Sequence, residues 1–181
     1  MDDIVLSLAK VLNSHNILWG VGGSYLLRIY GIVEQVHDLD IIIAPKDIAK
    51  AVQVLDSIAQ RKAIPVKKEY KTKYFYVYSY GGLSIDVMSR FRIEHSEGVY
   101  EFVMDELSIV EHKNIDGTLV PLMSLEDWLI AYTLMKGRSS KVKMIEKYLI
   151  SHGIGHRDLL ERILDQRLPA QVQIYINKLL D

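Results

Sequence analysis

The sequence predicts an α+β fold, with a mixed β-sheet and flanking helices over residues 1–122 and a helical segment over residues 123–181 packed on it. Two observations support this division. Up to Leu122, short apolar runs recur between glycine, proline and polar residues, as is typical of strands joined by turns. From Ser124 onward, apolar residues instead recur at the spacing of amphipathic helices.

The first part combines both kinds of element. Helices are predicted over 2–14, 24–30 and 47–60, and strands over 17–21, 38–44, 66–80, 82–89, 99–104, 108–112 and 118–122. Ser24 stands where it would cap the second helix, and Gly31 closes that helix. Pro45 stops the strand that begins at Asp38, and the pair Gly81-Gly82 is typical of a turn between two paired strands.

The second part is predicted to contain helices alone. They cover residues 125–136, 140–151, 156–166 and 169–180. Ser124 followed by Asp127 resembles a capping box at the start of the first of these helices. Gly137 and Pro169 separate the helices because both residues disfavour a continuous helix.

Composition excludes several classes of protein. The chain has 181 residues, of which 49% are hydrophobic, which suffices for one domain or one domain with a helical appendage. Its formal net charge of −1 gives no strong sign of nucleic-acid binding. The absence of cysteine excludes disulfides, cysteine-bound zinc and thiol catalysis. No apolar run reaches the roughly 18–20 residues of a membrane span, and the N-terminus is acidic, so we expect a cytoplasmic protein that does not enter a membrane.

Three aspartates lie on predicted strands. Asp38 and Asp40 are two residues apart, so their carboxylates leave the same face of the strand. Asp86 stands alone in an apolar strand, where a charge is costly unless it is paired or binds a metal. If the two strands pair, the three carboxylates could bind Mg²⁺ or Mn²⁺. The alternatives are two solvated acids at a strand start, and an Asp86 that pairs with a lysine from residues 67–73.

A glycine-rich turn, Gly22-Gly23-Ser24, joins a predicted strand to a predicted helix. Glycines let backbone N–H groups approach an anion closely, and the Ser24 hydroxyl could bond a phosphate oxygen. The alternative is an ordinary turn with a serine cap. The known phosphate-loop signatures, with a lysine or with a third glycine, are not matched.

Two further surfaces are candidates for binding. A run of four alternating tyrosines follows a basic stretch, and a second basic cluster lies at a helix junction. The tyrosines are Tyr74, Tyr76, Tyr78 and Tyr80; the stretch holds Arg61, Lys62, Lys67, Lys68, Lys71 and Lys73; the cluster is Lys136, Arg138, Lys141 and Lys143. The tyrosine strand could stack on a substrate, or it could be an amphipathic face half covered by a neighbour. The cluster could clamp a triphosphate, or it could be solvated charge.

The ordered set of glycine turn, paired aspartates and third aspartate resembles the signature of the nucleotidyltransferase superfamily with the DNA polymerase β-like fold, over residues 15–90. The resemblance implies that Asp38, Asp40 and Asp86 act in catalysis and bind two Mg²⁺ or Mn²⁺ ions, and that Asp86 helps to deprotonate the attacking hydroxyl. It implies that Gly22, Gly23 and Ser24 hold the triphosphate of an NTP such as ATP. A hydroxyl acceptor would then attack the α-phosphorus and release pyrophosphate.

One stretch departs from the pattern. Superfamily members often carry a basic residue and a threonine just before the paired acids, whereas residues 33–37 here read Val-Glu-Gln-Val-His. Arg28 is the nearest basic residue, and we name it with Lys136 and Arg138 as candidate nucleotide-binding residues. Two other functions stay open: a glycosyltransferase that uses a metal and a nucleotide-sugar, and a non-catalytic nucleotide-binding module. The acceptor, the base of the NTP and the oligomeric state, a homodimer among the options, are left open as well.

Overall fold

The computed structural model describes residues 1–63 and 71–181, and a mixed seven-stranded sheet with the order β3-β4-β5-β2-β1-β9-β8 is its centre. The strands are β1 (Trp19–Val21), β2 (Asp38–Ile43), β3 (Gln60–Lys62), β4 (Tyr74–Tyr80), β5 (Leu83–Ser89), β6 (Arg92–His95), β7 (Gly98–Glu101), β8 (Ile109–Ile115) and β9 (Thr118–Met123). Strands β6 and β7 form a separate two-stranded sheet.

Seven α-helices are described. They are α1 (Asp2–Ser14), α2 (Gly23–Ile29), α3 (Ile48–Ile58), α4 (Leu125–Leu134), α5 (Ser139–His152), α6 (Arg157–Leu164) and α7 (Ala170–Leu180). In the described part of the chain, no helix is long and apolar enough to cross a membrane.

The middle of the sheet is formed by β2, which runs parallel to β5 and antiparallel to β1. Its apolar residues explain this position, because Leu39, Ile41 and Ile43 are fully buried. The turn at Gly81-Gly82 joins β4 and β5 as an antiparallel pair, as the sequence predicts.

Helix α4 is buried on all sides. It carries apolar residues around its whole circumference, and even Glu126 and Asp127 are about fully buried. Ser124 caps the helix by accepting a hydrogen bond from the backbone N–H of Asp127 at 2.9 Å, which confirms the predicted helix start. Because α4 packs against α2, α5, α6 and α7, it connects the sheet to the helical segment.

The predicted α+β fold is confirmed, with local corrections. Strands β3 and β6 were not predicted, the helix predicted over 47–60 ends at Ile58, and the strand predicted over 99–104 ends at Glu101. Ser24 does not cap α2, because Gly22 is the N-cap residue and Ser24 lies within the helix. Residues 66–70 of the strand predicted over 66–80 lie outside the described residues, as do Lys67 and Lys68.

Candidate active site

The pairing of β2 with β5 brings the three aspartates to one face of the sheet. Asp40 lies directly opposite Asp86, and Asp38 lies opposite Ser84. Residues opposite one another on paired strands point to the same face, and so do residues two apart on one strand. The register therefore places the three carboxylates on neighbouring positions of that face. All three residues are partly buried.

The three carboxylates are electrostatically coupled. Burial, together with the negative charges of Asp38 and Asp86, raises the pKa of Asp40 to about 7. The positive charges of Lys141 and Arg138 lower the pKa of Asp40. These two cations therefore lie close enough to interact electrostatically with the acids. A cation bound between the carboxylates of Asp38, Asp40 and Asp86 would therefore reduce the repulsion among their negative charges.

The donor chemistry of these residues fits a hard divalent cation such as Mg²⁺ or Mn²⁺, which prefers carboxylate oxygen. Across residues 1–63 and 71–181, however, no three carboxylate or imidazole groups stand close enough together to enclose a metal ion. The register of β2 against β5 nevertheless brings Asp38, Asp40 and Asp86 to adjacent positions on one face of the sheet.

The glycine turn lies against Asp40. The backbone N–H of Gly22 donates a hydrogen bond to the carbonyl oxygen of Asp40 at 3.0 Å. Gly23 has a φ of +59°, and a Cβ atom there would stand 1.8 Å from Asp40 Oδ2. A Cβ atom on Gly22 would stand 2.0 Å from the ring of Trp128. Both positions therefore require glycine, one beside the carboxylate and the other beneath α4.

Lys141 connects the helical segment to this turn. Its Nζ donates to Ser24 Oγ at 2.6 Å and to the hydroxyl of Tyr132 at 3.3 Å, and it lies 4.9 Å from the centre of the Tyr132 ring. Burial lowers the pKa of Lys141, as does Arg138, while Asp40 and Asp38 oppose that change. The sequence interpretation placed Lys141 in the basic cluster but did not choose it as a nucleotide-binding residue. Its position one helical turn after Arg138 is the signal that could have singled it out.

The other candidate cations lie in different surroundings. Arg138 is partly buried at the N-cap of α5, and Lys136 is exposed just before it. Arg28 instead forms an ion pair with Asp2 and lies over the ring of Tyr25, whose hydroxyl also donates to Asp2. These contacts tie α2 to the start of α1, and they give no support to a role for Arg28 in nucleotide binding.

The tyrosines of β4 face away from the aspartates, and this corrects the idea of a stacking surface at the site. Val77 is the residue opposite Asp86, so Tyr76 and Tyr78 on either side of it point to the other face. There Tyr78 is fully buried and donates to Asp56 of α3 at 2.9 Å. Arg61 stands over the rings of Tyr76 and Tyr78.

The lysines considered as partners of Asp86 also have other contacts. Lys71 pairs with Glu94 at 3.6 Å, and Lys73 lies 5.3 Å from the centre of the Tyr74 ring.

Solved structures with similar folds are nucleotidyltransferases. A Thermotoga maritima protein, TM1012, assigned as a nucleotidyltransferase, shares 19% identity over 82% of this chain and 92% of its own, with a TM-score of 0.60. ANT(2'')-Ia in complex with adenylyl-2''-tobramycin shares 11% identity over the whole of both chains, with a TM-score of 0.57. The lincosamide antibiotic adenylyltransferase LnuA, bound to lincomycin, shares 13% identity over 81% of this chain and 96% of its own, with a TM-score of 0.55.

The assignment to a family comes from the sequence match. No curated protein matches the chain. The family described as aminoglycoside-2''-adenylyltransferase matches residues 4–148, which include the glycine turn, the three aspartates and Lys141. The chain therefore belongs to the aminoglycoside-2''-adenylyltransferase family and is an enzyme, a nucleotidyltransferase.

Proposed function

We propose that the protein is a metal-dependent nucleotidyltransferase that moves a nucleoside monophosphate from an NTP to a hydroxyl group of a small molecule. The observation that carries this proposal is the coupling of Asp40 to Asp38 and Asp86 directly beside the glycine turn. Membership of a nucleotidyltransferase family favours this reaction over transfer from a nucleotide-sugar and over a non-catalytic module.

In this proposal Asp38, Asp40 and Asp86 hold two Mg²⁺ or Mn²⁺ ions. When bound, such ions neutralise phosphate charge and stabilise the entering and leaving oxygens of an in-line displacement. The paired strands β2 and β5 would hold the three carboxylates in position for these ions, and Gly23 leaves room for the side chain of Asp40.

The reaction forms one bond and breaks one. The acceptor hydroxyl oxygen attacks the α-phosphorus of the NTP, the bond from that phosphorus to the bridging oxygen of the β-phosphate breaks, and pyrophosphate leaves. Asp86 accepts the proton of the acceptor hydroxyl. We assign this role to Asp86 because it lies on β5, on the side of the acids that continues into β4, whereas Asp40 lies beside the glycine turn.

The triphosphate is proposed to lie between the glycine turn and the helical segment. Gly22, Gly23 and Ser24 would offer backbone N–H groups and a hydroxyl. Lys141 would exchange its bond to Ser24 for a phosphate oxygen, since a charge-assisted bond to phosphate is stronger than a bond to a neutral hydroxyl. Arg138, which already acts electrostatically on Asp40, would add a second cation, with Lys136 at the rim.

This arrangement gives the two parts of the chain different tasks. Residues 1–122 would carry the acids and the turn, and residues 123–181 would supply the phosphate-binding cations. The oligomeric state, including a homodimer, is left open. The acceptor is proposed to be a small molecule because two proteins of similar fold bind antibiotics, one in a complex with adenylyl-2''-tobramycin and the other with lincomycin.

An assay with labelled NTP distinguishes nucleotidyl transfer from the two alternative functions, glycosyl transfer and nucleotide binding without catalysis. The purified protein is incubated with Mg²⁺, a small-molecule acceptor panel and NTP labelled either at the α- or at the γ-phosphate. Label from the α-phosphate alone should appear on an acceptor, and pyrophosphate should be released in equal amount. Asp40→Asn should abolish both signals while remaining folded. Full turnover by that variant, or transfer of the γ-phosphate label, would contradict the proposal.

A further inference from the structure

Two aromatic side chains of α4 stand at the glycine turn. Trp128 and Tyr132 are one helical turn apart, so they leave the same side of α4, and their ring centres are 5.3 Å apart. The ring of Trp128 occupies the place where a Cβ atom on Gly22 would stand. The hydroxyl of Tyr132 accepts a hydrogen bond from Lys141, which also donates to Ser24. One side of α4 therefore contacts the turn at Gly22 and, through Lys141, at Ser24.

The indole N–H of Trp128 has no hydrogen-bond partner among residues 1–63 and 71–181, although the side chain is only 2% exposed. Buried donors are nearly always paired, because an unpaired one loses its hydrogen bond to water and gains nothing in return. The other tryptophan is paired in this way: Nε1 of Trp19 donates to Asn13 Oδ1 at 2.9 Å. The unpaired donor of Trp128 is therefore not explained by the packing of the ring alone.

This N–H lies on the edge of the indole that meets the turn. The atoms nearest to a Cβ atom on Gly22 would be Cζ2, Cε2 and Nε1 of Trp128. The rings of Phe102 and Phe91, whose centres lie 5.5 Å and 6.3 Å from that of Trp128, carry no oxygen that could accept a hydrogen bond. An acceptor that reaches Nε1 must therefore be a ligand held along the turn at Gly22.

The chemistry of the surroundings favours an anionic oxygen as this acceptor. An indole N–H donates but cannot accept, so its partner must carry an acceptor atom. Lys141 lies 4.9 Å from the centre of the neighbouring Tyr132 ring and brings a positive charge to this side of the turn. The carboxylate of Asp40 stands instead at Gly23. A donor in a buried setting forms its stronger hydrogen bonds to charged acceptors.

We propose that the indole N–H of Trp128 donates a hydrogen bond to a phosphate oxygen of the bound NTP, so that Trp128 is a further nucleotide-binding residue. This inference rests on the proposed function, because it takes the triphosphate to lie at Gly22, Gly23 and Ser24. It extends that function by adding a neutral donor on α4 to the cation Lys141. The packing of the indole against Gly22 fixes the position of the donor before the nucleotide arrives.

The indole N–H signals in nuclear magnetic resonance spectra of isotope-labelled protein test this contact directly. The chain has two tryptophans, and Trp128→Phe shows which signal belongs to Trp128. The probes are ATP, inorganic tripolyphosphate and adenosine, each with Mg²⁺. The Trp128 signal should move downfield with ATP and with tripolyphosphate, because both present phosphate oxygens, and should stay in place with adenosine. The Trp19 signal should not respond to any of them, since its donor is already paired.

Replacement of single tryptophans by benzothienylalanine separates nucleotide binding from packing. This amino acid has sulfur in place of the N–H group and nearly the same shape. At position 128 it should weaken the binding of ATP and of tripolyphosphate at least about tenfold in calorimetry, because a bond to a charged group is lost. It should leave the stability of the nucleotide-free protein undiminished in urea denaturation, because the N–H has no protein partner there.

Position 19 is the matched control. Benzothienylalanine there should lower the stability of the protein, because it removes the hydrogen bond to Asn13, and should leave ATP binding unchanged. Circular dichroism checks the folding of both proteins.

Two results would overturn the inference while the proposed function stands. One is a Trp128 signal that does not respond to tripolyphosphate, as expected if a water molecule were the acceptor. The other is unchanged ATP binding after the replacement at position 128. In both cases ATP would still bind to the natural protein and bind more weakly to Lys141→Met. Failure of the natural protein to bind ATP with Mg²⁺, together with no transfer of the α-phosphate label, would overturn the inference and the proposed function together.

Discussion

Asp40→Asn should make the metal-free protein more stable at alkaline pH while it abolishes activity. Burial and the neighbouring charges of Asp38 and Asp86 raise the pKa of Asp40 from 3.8 to about 7. Asparagine has nearly the same shape but carries no charge, so the variant removes the repulsion and keeps the packing against Gly23.

The magnitude follows from the pKa difference. Below pH 3.8 Asp40 is protonated in both states, and its favourable contribution to stability is fully present. As the pH rises through about 7 the folded state loses this contribution, because the unfolded chain ionises more easily. A difference from 3.8 to about 7 corresponds to about 4 kcal/mol, and we expect Asp40→Asn to recover about 2–4 kcal/mol at pH 8.5.

The assay is urea denaturation between pH 4 and pH 8.5, with and without Mg²⁺. The natural protein should lose stability as the pH rises and regain part of it when Mg²⁺ is added, because a ligand of the folded state stabilises that state. Asp40→Asn should show a smaller loss and a weaker response to Mg²⁺. Asp181→Asn, which removes one exposed charge, is the control. A variant less stable than the natural protein at pH 8.5, or one with an undiminished response to Mg²⁺, would refute the reasoning.

Three further predictions concern Gly23, Lys141 and Asp127. Gly23→Ala should lower turnover at least about tenfold in an enzyme assay. It should also lower the free energy of unfolding by about 1–3 kcal/mol in urea denaturation. Both effects are expected because the added Cβ would stand 1.8 Å from Asp40 Oδ2. Lys141→Met should weaken NTP binding by about 1.5–3 kcal/mol in calorimetry, because it removes a charged hydrogen-bond donor. Asp127→Asn should reduce the loss of stability between pH 4 and pH 8.5, because burial raises the pKa of Asp127 to about 7. Asparagine can still accept the hydrogen bond from the Ser124 hydroxyl. The same urea denaturation series measures this effect.

Two of these variants have a matched control. Gly31→Ala shares the positive φ of Gly23 but meets nothing within 4 Å, so it separates backbone strain from the clash with Asp40. Lys143→Met removes an exposed lysine from the same helix as Lys141. An equal effect of Gly31→Ala and Gly23→Ala, or of Lys143→Met and Lys141→Met, would count against the proposed site. A pH dependence left unchanged by Asp127→Asn would contradict the assignment of a raised pKa to that residue.

Local patterns were sufficient to predict most elements. The apolar run after Asp38 predicts a buried strand because Leu39 and Ile41 alternate with the two acids, and that strand is β2. The start of α4 could be predicted at Ser124 because a helix cap depends on residues only three positions apart. Strand β6 was missed because Arg92–His95 has little apolar character and pairs only with β7.

The sequence by itself determined that three aspartates and a glycine turn exist in an order typical of nucleotidyltransferases, because these signals lie within short stretches of chain. Only the tertiary structure decided which residues meet. The register of β2 against β5 sets Asp40 opposite Asp86, and that of β4 turns its tyrosines away from the site. The contact of Lys141 with Ser24 joins residues 117 positions apart. Strand register and helix packing depend on how distant apolar faces are buried together, so periodicity within one segment cannot specify them.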